Sequence, residues 1–307
     1  MSAGAELTFR EGRPADLRTT FNLGEHAYHH TIGEPLTEEA LEREWNLSRE
    51  LVEFVAAQEG CYWICEEEGE PVGYARMCRF GEMQELARLA VAPTHQGRGI
   101  ARALLTRCWP EAPSPELGRV VVAPGGPADL TLYMDFSVMP VAGHWFMRAR
   151  ADEYTEGRSL EIDVAEPPVV ALEAGRAVAE WKRLEPQAIA HRRPLLHEFF
   201  GRTRTCLATM DGDNATALCW IGPSGEIGPA VGATPEDLVP VTLQALDRVA
   251  AKMEPEALRI FCSTDSWWLL RRLRNLGFRV RWPSQVMSSI PLPGLDRYLP
   301  TRPVQLL

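Results

Sequence analysis

The stretch that most limits what this chain can fold into is 91–101, Val-Ala-Pro-Thr-His-Gln-Gly-Arg-Gly-Ile-Ala. It joins an apolar run at 86–91 to an amphipathic helical pattern at 101–109. A plain connector has no use for two glycines here. Glycine lacks a Cβ and tolerates positive φ, so Gly97 and Gly99 suit a place where backbone approaches a ligand closely. The amides of Gln96, Gly97, Arg98, Gly99, Ile100 and Ala101 would then converge at the start of a helix. That makes a concave donor array at the positive end of a helix dipole, and Arg98 adds a positive charge. Such a nest suits a phosphate or pyrophosphate. The dinucleotide fingerprint needs three glycines and a P-loop needs a Gly-Lys-Ser/Thr ending, and neither is present. The plainer alternative is a tight strand-to-helix turn with no ligand.

Gln96-Gly97-Arg98-Gly99-Ile100-Ala101 closely resembles the acyl-CoA signature of the GNAT superfamily of N-acetyltransferases, Arg/Gln-x-x-Gly-x-Gly/Ala, at each fixed position. The preceding Leu89-Ala90-Val91-Ala92-Pro93 is similar to what lies upstream of that signature. The resemblance implies acetyl-CoA as acyl donor, with no metal, and direct attack of an amine on the thioester. It also implies that the strand holding Leu89, Ala90 and Val91 splays from its neighbour. Its free backbone groups would then hold the pantetheine arm and the thioester oxygen.

Acetyl transfer further needs a base for the amine and an acid for the departing thiolate. Glu85 lies six residues before Val91, the offset at which histone-acetylating members of the superfamily place a catalytic Glu. Glu82 is the alternate base, acting through a water. A carboxylate with an ordinary pKa near 4.3 accepts protons poorly, so burial would have to raise it. Members of the family often carry Leu-Tyr-x-x-x-Gly-Phe, and this chain has Leu132-Tyr133-Met134-Asp135-Phe136-Ser137-Val138. The match makes Tyr133 the candidate acid, with Ser137-Val138 in place of Gly-Phe. His26, His29 and His30 cluster where the family forms its acceptor site. As metal ligands they lack a carboxylate or cysteine at suitable spacing.

Taken in order, the first half reads as a strand at 6–10, helices at 14–28 and 37–55, and a hairpin of 61–65 with 72–78. A strand at 85–91, the helix after Gly99, a strand at 119–123, a helix at 128–136 and a strand at 144–150 follow. The segment 138–145 has two readings, lining the acceptor cleft or contacting the second half. Residues 152–158 are polar and read as a linker. Beyond them come helices at 172–184 and 189–200, strands at 205–210 and 215–221, a helix at 235–253, a strand at 258–263 and a helix at 267–276. The order repeats, and Leu276-Gly277-Phe278 resembles the end of the family pattern. The fold expected is therefore α+β (α/β with mixed sheets). It comprises two tandem GNAT-like domains, 1–156 and 157–307, each a mixed, mostly antiparallel sheet flanked by helices.

The second domain reads as degenerate. At its equivalent of the nest, 228–237, Thr234 caps the helix, Pro235 removes an amide, and Glu236 and Asp237 place negative charge where phosphates need donors. Leu273 stands where the family has its Tyr.

With 307 residues, 45% of them apolar, the chain has material for two cores. It shows no apolar run long enough to span a bilayer and no secretory signal. Its seven cysteines form no Cys-x-x-Cys pair and read as reduced residues of a cytoplasmic protein. Residues 1–156 hold 14 Arg and Lys against 25 Asp and Glu, which argues against nucleic acid and is compatible with a small cationic amine. The expected function is an acetyl-CoA-dependent N-acetyltransferase. The rivals are a non-catalytic acyl-CoA sensor and a scaffold.

Overall fold

The computed structural model describes residues 6–114, 116–161, 166–301 and 306–307. The chain forms two compact units, one of residues up to Val121 with Leu132–Val138, the other of Val122–Thr131 with Met139–Leu307.

In chain order the elements begin β1 (Leu7–Glu11), α1 (Leu17–Ile32), α2 (Glu38–Ala56), β2 (Gly60–Glu67), β3 (Glu70–Phe80) and β4 (Met83–Val91). α3 (Ile100–Cys108), β5 (Gly118–Ala123) and α4 (Pro127–Met134) follow. The first unit's strands lie in the order β1-β2-β3-β4-β5. Pairing is antiparallel up to β4 and parallel between β4 and β5. The apolar stripe of α1 decides what covers one face. Leu17 and Phe21 pack with Leu41 and Val52 of α2, and Ala27 packs with Ile64, Tyr74 and Ala90 of the sheet. α3 covers the other face, where Gly73 admits it. A Cβ at Gly73 would stand 2.9 Å from Ile100 Cγ2.

The second unit continues with β6 (Met139–Arg150), α5 (Ala151–Ser159), β7 (Val169–Leu172), α6 (Ala174–Ile189) and α7 (Pro194–Thr203). Then come β8 (Thr205–Asp211), β9 (Asn214–Ile221), β10 (Ile227–Gly232), α8 (Pro235–Met253) and β11 (Ala257–Ser263). α9 (Trp267–Asn275), β12 (Arg279–Ser288) and β13 (Tyr298–Leu299) complete it. One sheet runs β13-β10-β9-β8-β7, and β6 lies between β12 and β11. α8 buries Leu238, Leu243 and Leu246 in a core shared with Ile260 and Phe278. The architecture is thus the mixed α/β one expected.

Two expectations need correction. Residues 152–158 are not a linker but the body of α5. Tyr154 is buried there and donates to Asp247 Oδ1 at 2.7 Å. Arg158 reaches Asp247, Glu166 and Glu161. Asp247, 89 residues away, lies outside any local window, so the segment's polarity misled the reading. The strands β7, β10, β12 and β13 were also not anticipated. Of the two readings of 138–145, the structure supports contact with the second half, because β6 pairs along β11 and β12.

α6 and α7 enclose a charged group inside the second unit. Arg193 Nη2 donates to Glu185 Oε1 at 2.7 Å, and His197 Nε2 lies 2.9 Å from Glu185 Oε2. Burial pushes the Glu185 carboxyl up, but the charge and hydrogen bonds of Arg193, with the hydrogen bond from His197, outweigh it and hold the pKa well below the usual range.

Candidate functional site

β4 organises the site in the first unit. Its pairing with β3 skips Ala87: Arg76 faces Arg88 while Met77 faces Leu86. This bulge re-aims the strand. The parallel ladder to β5 covers only Met83, Glu85 and the residue between them, against 118–120. From 86 to 91, among the described residues, the edge of β4 turned away from β3 therefore has no ladder partner. Leu89, Ala90 and Val91 lie on that open length, so the strand does splay.

Past β4, Pro93–His95 forms a 3-10 turn and Gln96 is extended, its Nε2 donating to the Val91 carbonyl at 3.3 Å. Gly97 and Gly99 take φ of +77° and +79°, and a Cβ built on either would meet nothing within 4 Å. Packing therefore does not require glycine at these positions; their backbone does. Gly99 is the N-cap of α3 and supplies no side-chain cap. The first amides of α3, at Ile100 and Ala101, so keep the orphan donors of a helix start facing open space. Two helices here, α2 and α8, close that end with a side chain. Thr37 Oγ1 accepts from Ala40 N at 3.1 Å ahead of α2. Thr234 and Asp237 form a reciprocal capping box on α8. The nest of the first half is open and its counterpart in the second is shut.

Glu67, at the end of β2, was missed by sequence reasoning. Its Oε1 accepts from Arg98 Nη2 at 2.7 Å, and its Oε2 lies 2.8 Å from His95 Nε2. The Arg98 hydrogen bond, then that of His95, holds the Glu67 carboxyl below its ordinary range. Arg98 is thus held at the mouth of the nest by a carboxylate rather than being a bare charge. Only the pairing of residues 31 positions apart could have revealed it.

The two candidate bases separate clearly. Glu82 is exposed in the turn before β4, with its carbonyl accepting from Gly118 N at 2.8 Å. Glu85 is 2% exposed on β4, opposite Cys78, whose thiol donates to the Glu85 carbonyl at 3.7 Å. Strand alternation puts Glu85 on the same face as Tyr74, Arg76 and Tyr62. That face carries a polar row which sequence reasoning also missed. The buried Arg76 guanidinium lies 4.4 Å from the Tyr62 ring, Tyr62 and Thr20 hydroxyls are 2.6 Å apart, and Arg88 pairs with Glu25 at 2.8 Å. Burial raises the Tyr62 and Tyr74 phenols. Gly24 of α1 makes room, since a Cβ there would stand 2.6 Å from the Tyr74 hydroxyl. The signal was available: arginines at 76 and 88 interrupt otherwise apolar strands.

Tyr133 is 4% exposed on α4. Its carbonyl accepts from Val138 N at 3.1 Å, across Ser137 with φ of +61°. In the second unit the Leu273 carbonyl accepts from Phe278 N at 3.0 Å, across Gly277 with φ of +89°. The two turns match residue for residue. Ser137 adopts the left-handed conformation that a glycine would adopt freely, and Val138, fully buried, takes the place of the Phe. His26 and His30 are exposed on the last turns of α1 and His29 is half-buried. Among the described residues no three His, Cys, Asp or Glu come together in a way that could hold a metal ion.

A tandem pair of mixed α/β units, one with an open nest beside a splayed strand, is the class of protein this geometry defines. Residues 58–129 match the family model described as acetyltransferase (GNAT) domain, and the chain is a tandem GNAT-fold protein. No curated protein sequence matches it. A solved structure of a candidate acetyltransferase from Pyrococcus horikoshii is similar over 98% of this chain and 96% of its own, with 16% identity and a TM-score of 0.71. A tandem GNAT protein from the clavulanic acid biosynthesis pathway is similar over 93% and 99%, with 14% identity and a TM-score of 0.60. A GCN5-related N-acetyltransferase from Sphaerobacter thermophilus covers 95% and 98%, with 16% identity and a TM-score of 0.54. At these identities the likeness is one of fold.

Proposed function

We propose that this protein is an acetyl-CoA-dependent N-acetyltransferase that acts on a small, cationic amine by direct attack of the amine on the thioester. The observation that carries the reading is the uncapped start of α3, open over Gly97 and Gly99, beside the unpaired edge of β4. Acetyl-CoA supplies an activated acyl thioester. The amides of Gln96, Gly97, Arg98, Gly99, Ile100 and Ala101, with the Arg98 guanidinium, hold its pyrophosphate. Backbone groups of Leu89, Ala90 and Val91 hold the pantetheine arm and stabilise the charge that grows on the carbonyl oxygen.

Glu85 receives the proton of the amine, and the Tyr133 hydroxyl gives one to the leaving sulfur. The exposed position of Glu82 supports Glu85 for this role. The donor-binding residues all fall within 1–156, the proposed acetyl-CoA-binding domain. The capping box at Thr234 supports reading 157–307 as a degenerate copy that takes no donor. Among the described residues no helix is long and apolar enough to cross a membrane. The acidic balance of 1–156 supports a cationic acceptor rather than a nucleic acid, in a cytoplasmic setting.

The test is release of free CoA thiol from acetyl-CoA across a panel of primary amines, against an amine-free control. Sustained release with one amine class is expected. Binding of acetyl-CoA without turnover on any amine would mark a donor sensor instead, and absence of binding would remove both readings.

A further inference from the structure

The second unit contains a concavity of about 370 Å³ at the end of α8 far from Thr234. Its wall comes from the exit of α7 and start of β8, from the β9–β10 turn, and from the last turns of α8. Arg202, Arg204, Arg248 and Lys252 line it, together with Thr203 and Thr205, and no carboxylate does. Buried Ile221 and Val249 contribute apolar surface. Four cations thus meet in one hollow of a chain whose net charge is −10.

Neighbouring acids do not account for Arg202, Arg248 and Lys252. Some arginines elsewhere are matched with carboxylates, as Arg158 and Arg272 are by Glu161 and Glu166. Among the described ion pairs, Arg202, Arg248 and Lys252 have no such partner. The closest acid in sequence to the β9–β10 turn, Glu226, is turned to the Ser224 amide at 3.1 Å. Arg204 is held in place: it donates to the Gly228 carbonyl, and its guanidinium lies 4.0 Å from the Phe200 ring. Arg248 and Lys252 stand one helical turn apart, where like charges repel. Cations near the negative ends of α7 and α8 would explain Arg202 and Lys252. They would not explain Arg248, a turn further back.

A concave, single-sign cluster focuses field lines and concentrates counter-ions. Guanidinium groups with nearby hydroxyls recognise phosphate by charge-assisted hydrogen bonds. We infer that this hollow is an anion site that takes a small ligand with two or more negative charges, of the phosphate-ester or polyphosphate class. It is distinct from the donor nest. It lies in the other unit, and α8, with 19 residues, separates it by about 28 Å from the helix start that corresponds to that nest. The second unit would then be a ligand-binding body in its own right, although its nest is shut.

Inorganic pyrophosphate is the probe, followed by calorimetry on the full chain with saturating acetyl-CoA present. The variants are Arg248→Glu with Lys252→Glu, and separately Arg202→Glu. Arg202 and Lys252 are exposed and Arg248 is half-buried, so thermal unfolding serves as the check that each variant folds. Wild type should bind the probe, more weakly as salt rises. Each variant should lose about tenfold or more in affinity, as expected when charge-assisted contacts are inverted. Loss in the Arg202 variant alone still supports the site. Unchanged affinity in both, or no binding by wild type at millimolar probe, would overturn the assignment.

Discussion

Replacing Gly99 by Ala adds one methyl group at the N-cap of α3 and tests the donor nest directly. The structure bounds what this does to the free protein. With φ of +79°, an L side chain costs about 1–2 kcal/mol in the left-handed region. The new Cβ meets nothing within 4 Å, so no packing penalty is added. Ala also restricts the unfolded chain relative to Gly, returning about 0.4–1 kcal/mol. The net loss of stability is then on the order of 1 kcal/mol, or roughly 2–4 °C in Tm.

Donor binding should suffer far more. The methyl occupies the space through which phosphate oxygens reach the amides of Ile100 and Ala101. Losing about two charge-assisted hydrogen bonds, each worth roughly 1.5–3 kcal/mol, costs at least about 3 kcal/mol. That is about a hundredfold in Kd. Gly33, with φ of +69° and equally open surroundings at the end of α1, provides a matched control. Gly33→Ala should lose similar stability and keep its affinity for acetyl-CoA. Calorimetry and thermal unfolding on both variants decide the matter. Equal loss of Tm with unchanged Kd in both would refute the nest.

The remaining predictions concern the proton-transfer groups and one buried histidine. Glu85→Gln should lower turnover by about a hundredfold or more in the CoA-release assay, while the exposed Glu82→Gln should not; the reverse pattern moves the base to Glu82. Tyr133→Phe should lower kcat and leave the Kd for acetyl-CoA unchanged, since the hydroxyl is needed as the sulfur leaves. His144, 1% exposed with neither ring nitrogen hydrogen-bonded among the described residues, stacks on Phe261. Burial lowers its pKa to about 3. The unfolded chain therefore binds the proton first. The stability gained by keeping this ring neutral is complete above about pH 6.5 and drains as pH falls toward 3, by about 1.4 kcal/mol per unit. His144→Phe should flatten that part of the urea-stability profile, and an unaltered slope would disprove the assignment.

Several of these positions could be found from sequence because their chemistry is local. The two glycines, the Thr234 cap with Asp237 three residues on, and the amphipathic stripes of α3 and α8 each declare themselves within a turn of chain. Ser137 shows the limit of motif matching. It departs from the family pattern, yet its backbone takes the same left-handed turn, because the conformation matters there more than the residue type. α5 shows the opposite failure. Its composition reads as a linker, and it is Asp247, far along the chain, that makes Arg158 a structural residue. β12 was missed although Arg279-Val280-Arg281-Trp282 alternates, because Pro283 interrupts the run, and its order comes from pairing with β6.

By itself, then, the sequence determined that a helix starting at Gly99 has an open, amide-rich end and that the one starting after Thr234 does not. Capping and positive φ are decided by residues within a few positions of one another, so no distant contact is needed to read them. Tertiary structure decided the rest of the site. Whether Arg98 stands alone or against Glu67, whether Glu85 is withdrawn from water while Glu82 is not, and how far β4 parts from β5 all depend on segments that folding brings together. A bulge of one residue at Ala87 sets which side chains share a face on either side of it. No local pattern reports such a register, because it is fixed only when β3 and β4 pair.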